Sequence, residues 1–289
     1  MNELICYFNG KLLPLSEAAV SADDGGLLYG DGIFETMRIY KTRPFQLEAH
    51  LKRLQEGAVY LDLPFPGIND LQTAIGDVIR ANAVEEGSLR LSLTGGKCRR
   101  SLWPRPQQQE PTVLITVRDG IPYPEHLYKQ GCNAVTVSFP RNEASPLVRI
   151  KSLNYMENML GKREALQQDC SEGIFLNTKG EITEGTISNL ILFNGKTLLT
   201  PAASCGLLPG ITRSTVLSMA RESLGIPAEE RVLYQKDLMQ AEEAFLTASI
   251  MEIMPLVKVD GQKIGTGKPG VVFKKLQKEY RRLTFLNYG

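Results

Sequence analysis

The stretch Ser188-Asn189-Leu190-Ile191-Leu192-Phe193-Asn194-Gly195-Lys196-Thr197-Leu198-Leu199-Thr200 sets an Asn-Gly pair between two apolar runs. Asparagine and glycine both accept the positive φ of a type I′ turn, so Ser188–Phe193 and Thr197–Thr200 read as an antiparallel hairpin. The same signal occurs twice more. Ile5-Cys6-Tyr7-Phe8 meets Lys11-Leu12-Leu13 across Asn9-Gly10, and Pro255–Val259 runs into Asp260-Gly261. Further strands are expected over Ser88–Thr94, Thr112–Val117, Ala134–Phe139, Gly173–Asn177 and Ala244–Thr247. Apolar residues at three- and four-residue spacing predict helices over Glu48–Leu61 and Asn69–Ala83, the second capped by Asn69-Asp70, and further helices are expected over Tyr155–Gln168, Thr212–Leu224 and Gly270–Leu283. Antiparallel hairpins with segregated helices mean an α+β fold rather than a doubly wound sheet. No G-x-G-x-x-G follows a strand, which disfavours a nicotinamide enzyme.

The 289 residues carry 33 Lys+Arg against 32 Asp+Glu, a formal net charge of +1. No field of one sign exists to recruit nucleic acid or a membrane surface, so neither is an expected partner. With 43% hydrophobic and 22% charged residues the composition is that of a globular protein, which excludes disorder and collagen-like repeats. The pattern resets at Arg118-Asp119-Gly120-Ile121-Pro122-Tyr123-Pro124. That predicts a small N-terminal domain over 1–118, a linker over 119–124 and a larger C-terminal domain over 125–289. No apolar run reaches the roughly 20 residues of a membrane span, and Met1-Asn2-Glu3-Leu4 lacks the layout of a signal peptide, so a cytoplasmic location is expected. Cys6, Cys98, Cys132, Cys170 and Cys205 are odd in number and form no C-x-x-C, and His50 and His126 are the only histidines. Neither a disulfide framework nor a metal site is expected. Chemistry in this chain must lean on lysine, carboxylates or a cofactor.

Three segments could carry it. In Leu147-Val148-Arg149-Ile150-Lys151-Ser152-Leu153-Asn154-Tyr155 an apolar approach ends on a lysine ahead of a helix. Desolvation lowers an ammonium pKa and frees the amine for Schiff-base chemistry, although a strand-end lysine is also an ordinary solvated residue. Gly206-Leu207-Leu208-Pro209-Gly210-Ile211-Thr212-Arg213 runs into an amphipathic helix, where unpaired N–H groups and a hydroxyl form either a phosphate cradle or a plain threonine cap. In Ile182-Thr183-Glu184-Gly185-Thr186-Ile187-Ser188-Asn189, Glu184 stands between two strands, either pairing with a buried cationic ring nitrogen or exposed in a turn.

Taken together, Val148–Asn154, Glu184-Gly185-x-x-Ser188-Asn189 and Gly206–Arg213 resemble the three signatures of the class IV aminotransferase family. Tyr29-Gly30-Asp31-Gly32-Ile33-Phe34-Glu35, His50-Leu51-Lys52-Arg53-Leu54 and Phe245–Pro255 extend the likeness over nearly the whole chain. The family comprises fold-type IV pyridoxal-phosphate enzymes: branched-chain and D-amino-acid transaminases, (R)-selective amine transaminases and aminodeoxychorismate lyase. The resemblance implies a two-domain α+β fold of the D-amino-acid aminotransferase type, with pyridoxal 5′-phosphate between a small N-terminal α/β domain and a larger cofactor-binding domain. It implies Lys151 as the Schiff-base lysine and proton shuttle, and Glu184 as partner of the pyridinium nitrogen. Arg53, Ile211, Thr212 and Ser249 are similar to the phosphate binders, and Tyr155 to the tyrosine that meets the ring hydroxyl. Homodimers are usual in the family, and a homodimer is expected here.

The same resemblance bears on which reaction is run. Arg100 is similar to a carboxylate-binding arginine of D-amino-acid transaminases and the lyases. The histidine that D-specific enzymes use two residues later is Leu102, and their tyrosine is Phe34, which speaks against a strict D-amino-acid transaminase. The Arg-Pro pattern that branched-chain transaminases usually carry before the loop holding Arg100 is absent too. Bulky Ile250 favours a lyase, whereas Ala248, where lyases place asparagine, favours a transaminase. The expected function is therefore transfer of an amino group from an amino acid or amine donor to a 2-oxo acid acceptor. The alternatives are aminodeoxychorismate lyase, releasing pyruvate and 4-aminobenzoate in folate synthesis, and a non-catalytic cofactor-binding protein.

Overall fold

Asn9 and Gly10 stand at φ 45° and 89°, and between them β1 (Ile5–Phe8) turns into antiparallel β2 (Lys11–Pro14). The structure is a computed structural model that describes residues 3–98, 109–120 and 123–286. Two units divide it: one takes the residues before Tyr123 together with Ile150–Asn154, and the other takes Tyr123–Arg149 and the chain from Tyr155 onward.

In the first unit the hairpin is followed by α1 (Gly25–Tyr29), β3 (Gly32–Tyr40), β4 (Arg43–Pro44), α2 (Leu47–Tyr60), α3 (Ile68–Ala81), β5 (Gly87–Thr94) and β6 (Thr112–Asp119). The six strands form one sheet in the order β2-β1-β6-β5-β3-β4, all antiparallel. Leu51, Leu54 and Ala58 of α2 and Leu71, Ile75, Val78 and Ile79 of α3 are buried in one core with Met37, Leu89, Leu91 and Ile115 of the sheet. Full burial of each large side chain contributes about 1.5–3 kcal/mol, which is why the three- and four-residue spacing held as helix. Asn69 does not cap α3 as expected. Gly67, at φ 103°, is the N-cap, because glycine alone turns the chain sharply enough there, and Asn69 sits inside the first turn.

β3 was not legible as a strand. Eight-residue pairing with β5 fixes it, but it is buried on nearly every residue, so no alternation marks it. Along its N-terminal half run the residues around Lys151: Phe34 N donates to the Lys151 carbonyl at 2.9 Å, Leu153 N to the Gly32 carbonyl at 2.9 Å, and Ser152 bridges Ile33. These bonds are what join Ile150–Asn154 to the first unit.

The second unit contains α4 (Glu125–Gln130), β7 (Cys132–Thr136), α5 (Met156–Gln167), β8 (Glu172–Leu176), β9 (Ile182–Gly185), β10 (Asn189–Phe193), β11 (Leu198–Pro201), α6 (Ile211–Glu222), β12 (Ala228–Arg231), α7 (Gln235–Met239), β13 (Glu243–Ala248), β14 (Glu252–Val259), β15 (Gln262–Lys263) and α8 (Val271–Leu286). Its nine-stranded sheet runs β12-β11-β10-β13-β14-β7-β8-β9, with β15 hanging on β14. The hairpin partners are antiparallel, but β7 pairs in parallel with both β8 and β14, and β12 with β11. β7 ends at Thr136 rather than the expected Phe139, because Ser138 turns its N–H and hydroxyl to Glu164 (3.0 and 2.9 Å).

Asp260 and Gly261 take the paired positive φ of a type I′ turn (48° and 78°). The 194–197 connection is different. Among its residues only Gly195 has positive φ, and the Asn194 side chain instead accepts from Lys196 N and Thr197 N at 3.1 and 2.8 Å, a local turn that makes a longer loop. No helix among the described residues is long and apolar enough to cross a membrane.

Candidate active site

Lys151 follows a 3-10 turn (Pro146–Arg149), not the strand its apolar approach suggested. Its ammonium lies 4.7 Å from the centroid of the Phe34 ring, and the guanidinium of Arg90 lies 3.8 Å from the same ring. Phe34 and the lysine backbone are neighbours across one hydrogen bond, so the strand that carries the ring also sets the height of the amine.

The residue after Phe34 organises the charge. Glu35, wholly buried, accepts from Arg53 Nε at 2.7 Å on Oε1 and from Arg53 Nη2 at 2.7 Å on Oε2, which also lies 2.7 Å from His50 Nδ1. The i,i+3 spacing of His50 and Arg53 on α2 brings both to the one carboxylate. Burial alone would raise the Glu35 pKa; the charge of Arg53 and the hydrogen bonds from His50 and Arg53 outweigh it and hold it at about 2. Burial likewise pushes the His50 pKa down, against the pull of Glu35 and with the help of the Arg53 and Lys151 charges. Facing a carboxylate oxygen, the imidazole Nδ1 donates its N–H to Glu35. A bidentate grip fixes the arginine fork, so Arg53 is oriented before any ligand arrives.

In the second unit Glu184 belongs to β9 itself, not to a turn between strands, and is buried. Arg141 Nη1 donates to its Oε1, while Asn189 Nδ2 (3.0 Å) and Leu208 N (3.2 Å) donate to Oε2. Arg141 is itself buried, lies 4.2 Å over the Phe175 ring and pairs with Glu157 at 3.1 Å. A carboxylate so surrounded by donors is held in one orientation. Asn189 also donates to the Leu208 carbonyl at 2.9 Å, tying the loop ahead of α6 to the Glu184 strand. At Gly210, the N-cap of α6, a Cβ would collide with Asn189 Oδ1, so only glycine lets the loop lie this close. Ile211 and Thr212 open the twelve-residue helix behind it, with their N–H groups among those the helix leaves unpaired.

Tyr155 is the N-cap of α5, and its hydroxyl donates to the Thr186 carbonyl at 3.3 Å, beside Asn158 Nδ2 at 2.7 Å on the same oxygen. Ala248 closes β13, and Ser249 and Ile250 form the half-buried turn into β14. Next to Ala248 the Thr247 hydroxyl, 1% exposed, finds no partner among the described residues. Arg100 lies outside the described residues. Sequence reading did not single out Arg90, Arg141 or Glu172; the only signal they offered was a charge amid apolar neighbours, which many solvated residues share.

The family model for amino-transferase class IV matches residues 32–259. The chain is 35% identical to a putative branched-chain-amino-acid aminotransferase of Methanocaldococcus jannaschii over 95% of its length and 94% of that protein. It is 30% identical to the aminodeoxychorismate lyase of Bacillus subtilis over 96% and 93%. The crystal structure of the T.th. branched-chain amino acid aminotransferase with pyridoxamine 5′-phosphate is 27% identical and superposes with a TM-score of 0.91 over 98% of this chain and 95% of that one.

Proposed function

The chain belongs to the class IV aminotransferase family, an enzyme family that implies pyridoxal phosphate, and from that premise we propose the roles of its residues. It takes pyridoxal 5′-phosphate and moves an amino group from an amino acid or amine to a 2-oxo acid. The observation that carries the reading is Lys151, clipped by its carbonyl to β3 with its ammonium against Phe34. The cofactor, when bound, supplies an aldehyde carbon that condenses with amines and a ring that withdraws electrons from the substrate.

The donor set fits that group. In the first unit Arg53, pre-oriented by Glu35, is suited to a phosphate; in the second, the Ile211 N–H at the start of α6 and the hydroxyls of Thr212 and Ser249 are suited to one as well. Glu184, braced by Arg141, is suited to keep a ring nitrogen protonated. The orphan Thr247 hydroxyl on the same sheet is a further buried group that a ligand would satisfy. Tyr155 meets the ring hydroxyl. Lys151 Nζ would hold the cofactor at its aldehyde carbon, and the same amine would take and return the substrate's α-proton. Phe34, Ala248 and Ile250 shape the substrate side, and Arg100 holds a substrate carboxylate. The working form is a homodimer in the cytoplasm.

A lyase activity is the second reading, favoured by Ile250 and by the likeness to the Bacillus subtilis protein. The test is to load the protein with pyridoxal phosphate and offer L-leucine, D-alanine or (R)-1-phenylethylamine with a 2-oxo acid, and separately aminodeoxychorismate. Amino transfer to the oxo acid is the expected result. Release of pyruvate and 4-aminobenzoate without transfer would establish the lyase instead, and no turnover with any of them would overturn both.

A further inference from the structure

Glu172, the first residue of β8, is wholly buried yet no step above uses it. Four donors converge on its carboxylate. Gly173 N (3.0 Å), Thr186 N (3.1 Å) and the Thr186 hydroxyl donate to Oε1, and the Ser188 hydroxyl donates to Oε2 at 2.8 Å. Lys162 Nζ stands 3.9 Å away. Thr186 and Ser188 are the two ends of the turn between β9 and β10, so one side chain grips that turn at both ends. The packing leaves the turn no slack. A Cβ on Gly161 or Gly173 would come 3.0 Å from Thr186 Cγ2, and one on Gly185 would collide with Ser188 Oγ.

The carbonyl of the clamped Thr186 is the one that receives Tyr155 Oη and Asn158 Nδ2. The Thr186 N–H is shared between the Gly173 carbonyl at 2.9 Å and Glu172 Oε1 at 3.1 Å. The peptide planes of residue 186 are therefore fixed by Glu172 together with the Gly173 carbonyl, and they set where the tyrosine oxygen sits.

We propose that Glu172 is a positioning residue that acts through Thr186 to place the Tyr155 hydroxyl for the reaction. This rests on the reading that Tyr155 meets the cofactor's ring hydroxyl. A buried carboxylate whose acceptor capacity is spent on one turn costs more in desolvation than an apolar residue would, and the return is a defined orientation. A tyrosine displaced by a few tenths of an ångström loses its hydrogen bond to the ring while the phosphate and Lys151 contacts remain, so turnover falls more than binding does.

The test uses the cofactor-loaded protein and follows the pH midpoint of the bound cofactor's visible absorption, kcat and KM, and melting of the cofactor-free protein. Tyr155→Phe should move the midpoint. Glu172→Leu and Thr186→Val should move it in the same direction and lower kcat about tenfold, with little change in KM, as expected for losing one hydrogen bond. Glu172→Gln should recover most of that loss, since the Ser188 hydroxyl can rotate to accept from the amide. In the Tyr155→Phe background Glu172→Leu should add nothing to the midpoint shift. Should Glu172→Leu fail to fold, Thr186→Val carries the test, because it keeps the backbone and three of the four donors. The proposal is overturned if Tyr155→Phe moves the midpoint while Thr186→Val and Glu172→Leu only lower the melting temperature, or if the shifts add. A Tyr155→Phe protein with an unmoved midpoint overturns the Tyr155 assignment itself, and the Glu172 proposal with it.

Discussion

Replacing Glu35 by glutamine removes one negative charge from beneath Arg53 and His50 and changes almost no volume. Its carboxyl is held at about 2 against an ordinary 4.5. That difference corresponds to about 3 kcal/mol of folding stability at pH 7. The sign follows from the depressed value: the stabilisation is complete above pH 4.5 and is lost as pH falls from there towards 2. By pH 3.5 about 2 kcal/mol should remain. Urea unfolding of the cofactor-free protein, followed by circular dichroism, should therefore show Glu35→Gln less stable by about 3 kcal/mol at pH 7, with the gap narrowing by about a third at pH 3.5. Glutamine offers one acceptor oxygen where the carboxylate has two, so it can serve the oxygen that Arg53 and His50 share or the one that accepts from Arg53 Nε but not both; the guanidinium loses one arm of its grip and affinity for pyridoxal phosphate should fall. A gap of the same size at both pH values would refute the electrostatic account and leave only packing.

Lys151→Ala should still take up the cofactor but should not be linked to it by borohydride and should lose all but a few per cent of turnover, measured by reduction and mass spectrometry. Glu184→Gln should raise the barrier to α-proton removal by about 3–5 kcal/mol, the cost of breaking a buried charged pair, with exchange of the α-proton failing before cofactor affinity does. Arg100→Leu should reduce kcat/KM for an amino acid by about 2–4 kcal/mol and leave (R)-1-phenylethylamine nearly untouched; equal losses would return Arg100 to an ordinary loop charge. Gly210→Ala must displace Asn189 Oδ1, into which the new Cβ would run, and should weaken cofactor binding at a cost of about 1–3 kcal/mol in stability, readable by titration and melting.

Local rules determined much of this protein. The hairpins at Asn9-Gly10 and Asp260-Gly261 form because those residues accept positive φ, and α2, α3, α6 and α8 because their apolar spacing matches the helical turn. Lys151, Glu184 and the segment leading to Thr212 stood out in the chain because each sets an unusual residue in a punctuated stretch. What surrounds them did not, since a side chain's partners depend on which distant residues the fold delivers. β3 has no alternation to read because it is buried on both faces. Arg141 reaches Glu184 across 43 residues of chain, and Glu172 reaches the Thr186 turn across 14. The sequence by itself determined which chemical groups are available and the local elements that carry them. Tertiary structure alone decided that Glu35 binds His50 and Arg53 together, that Ile150–Asn154 lies along β3, and that one buried carboxylate clamps a turn. Charges and hydrogen bonds act over a few ångströms of space, whatever their separation along the chain.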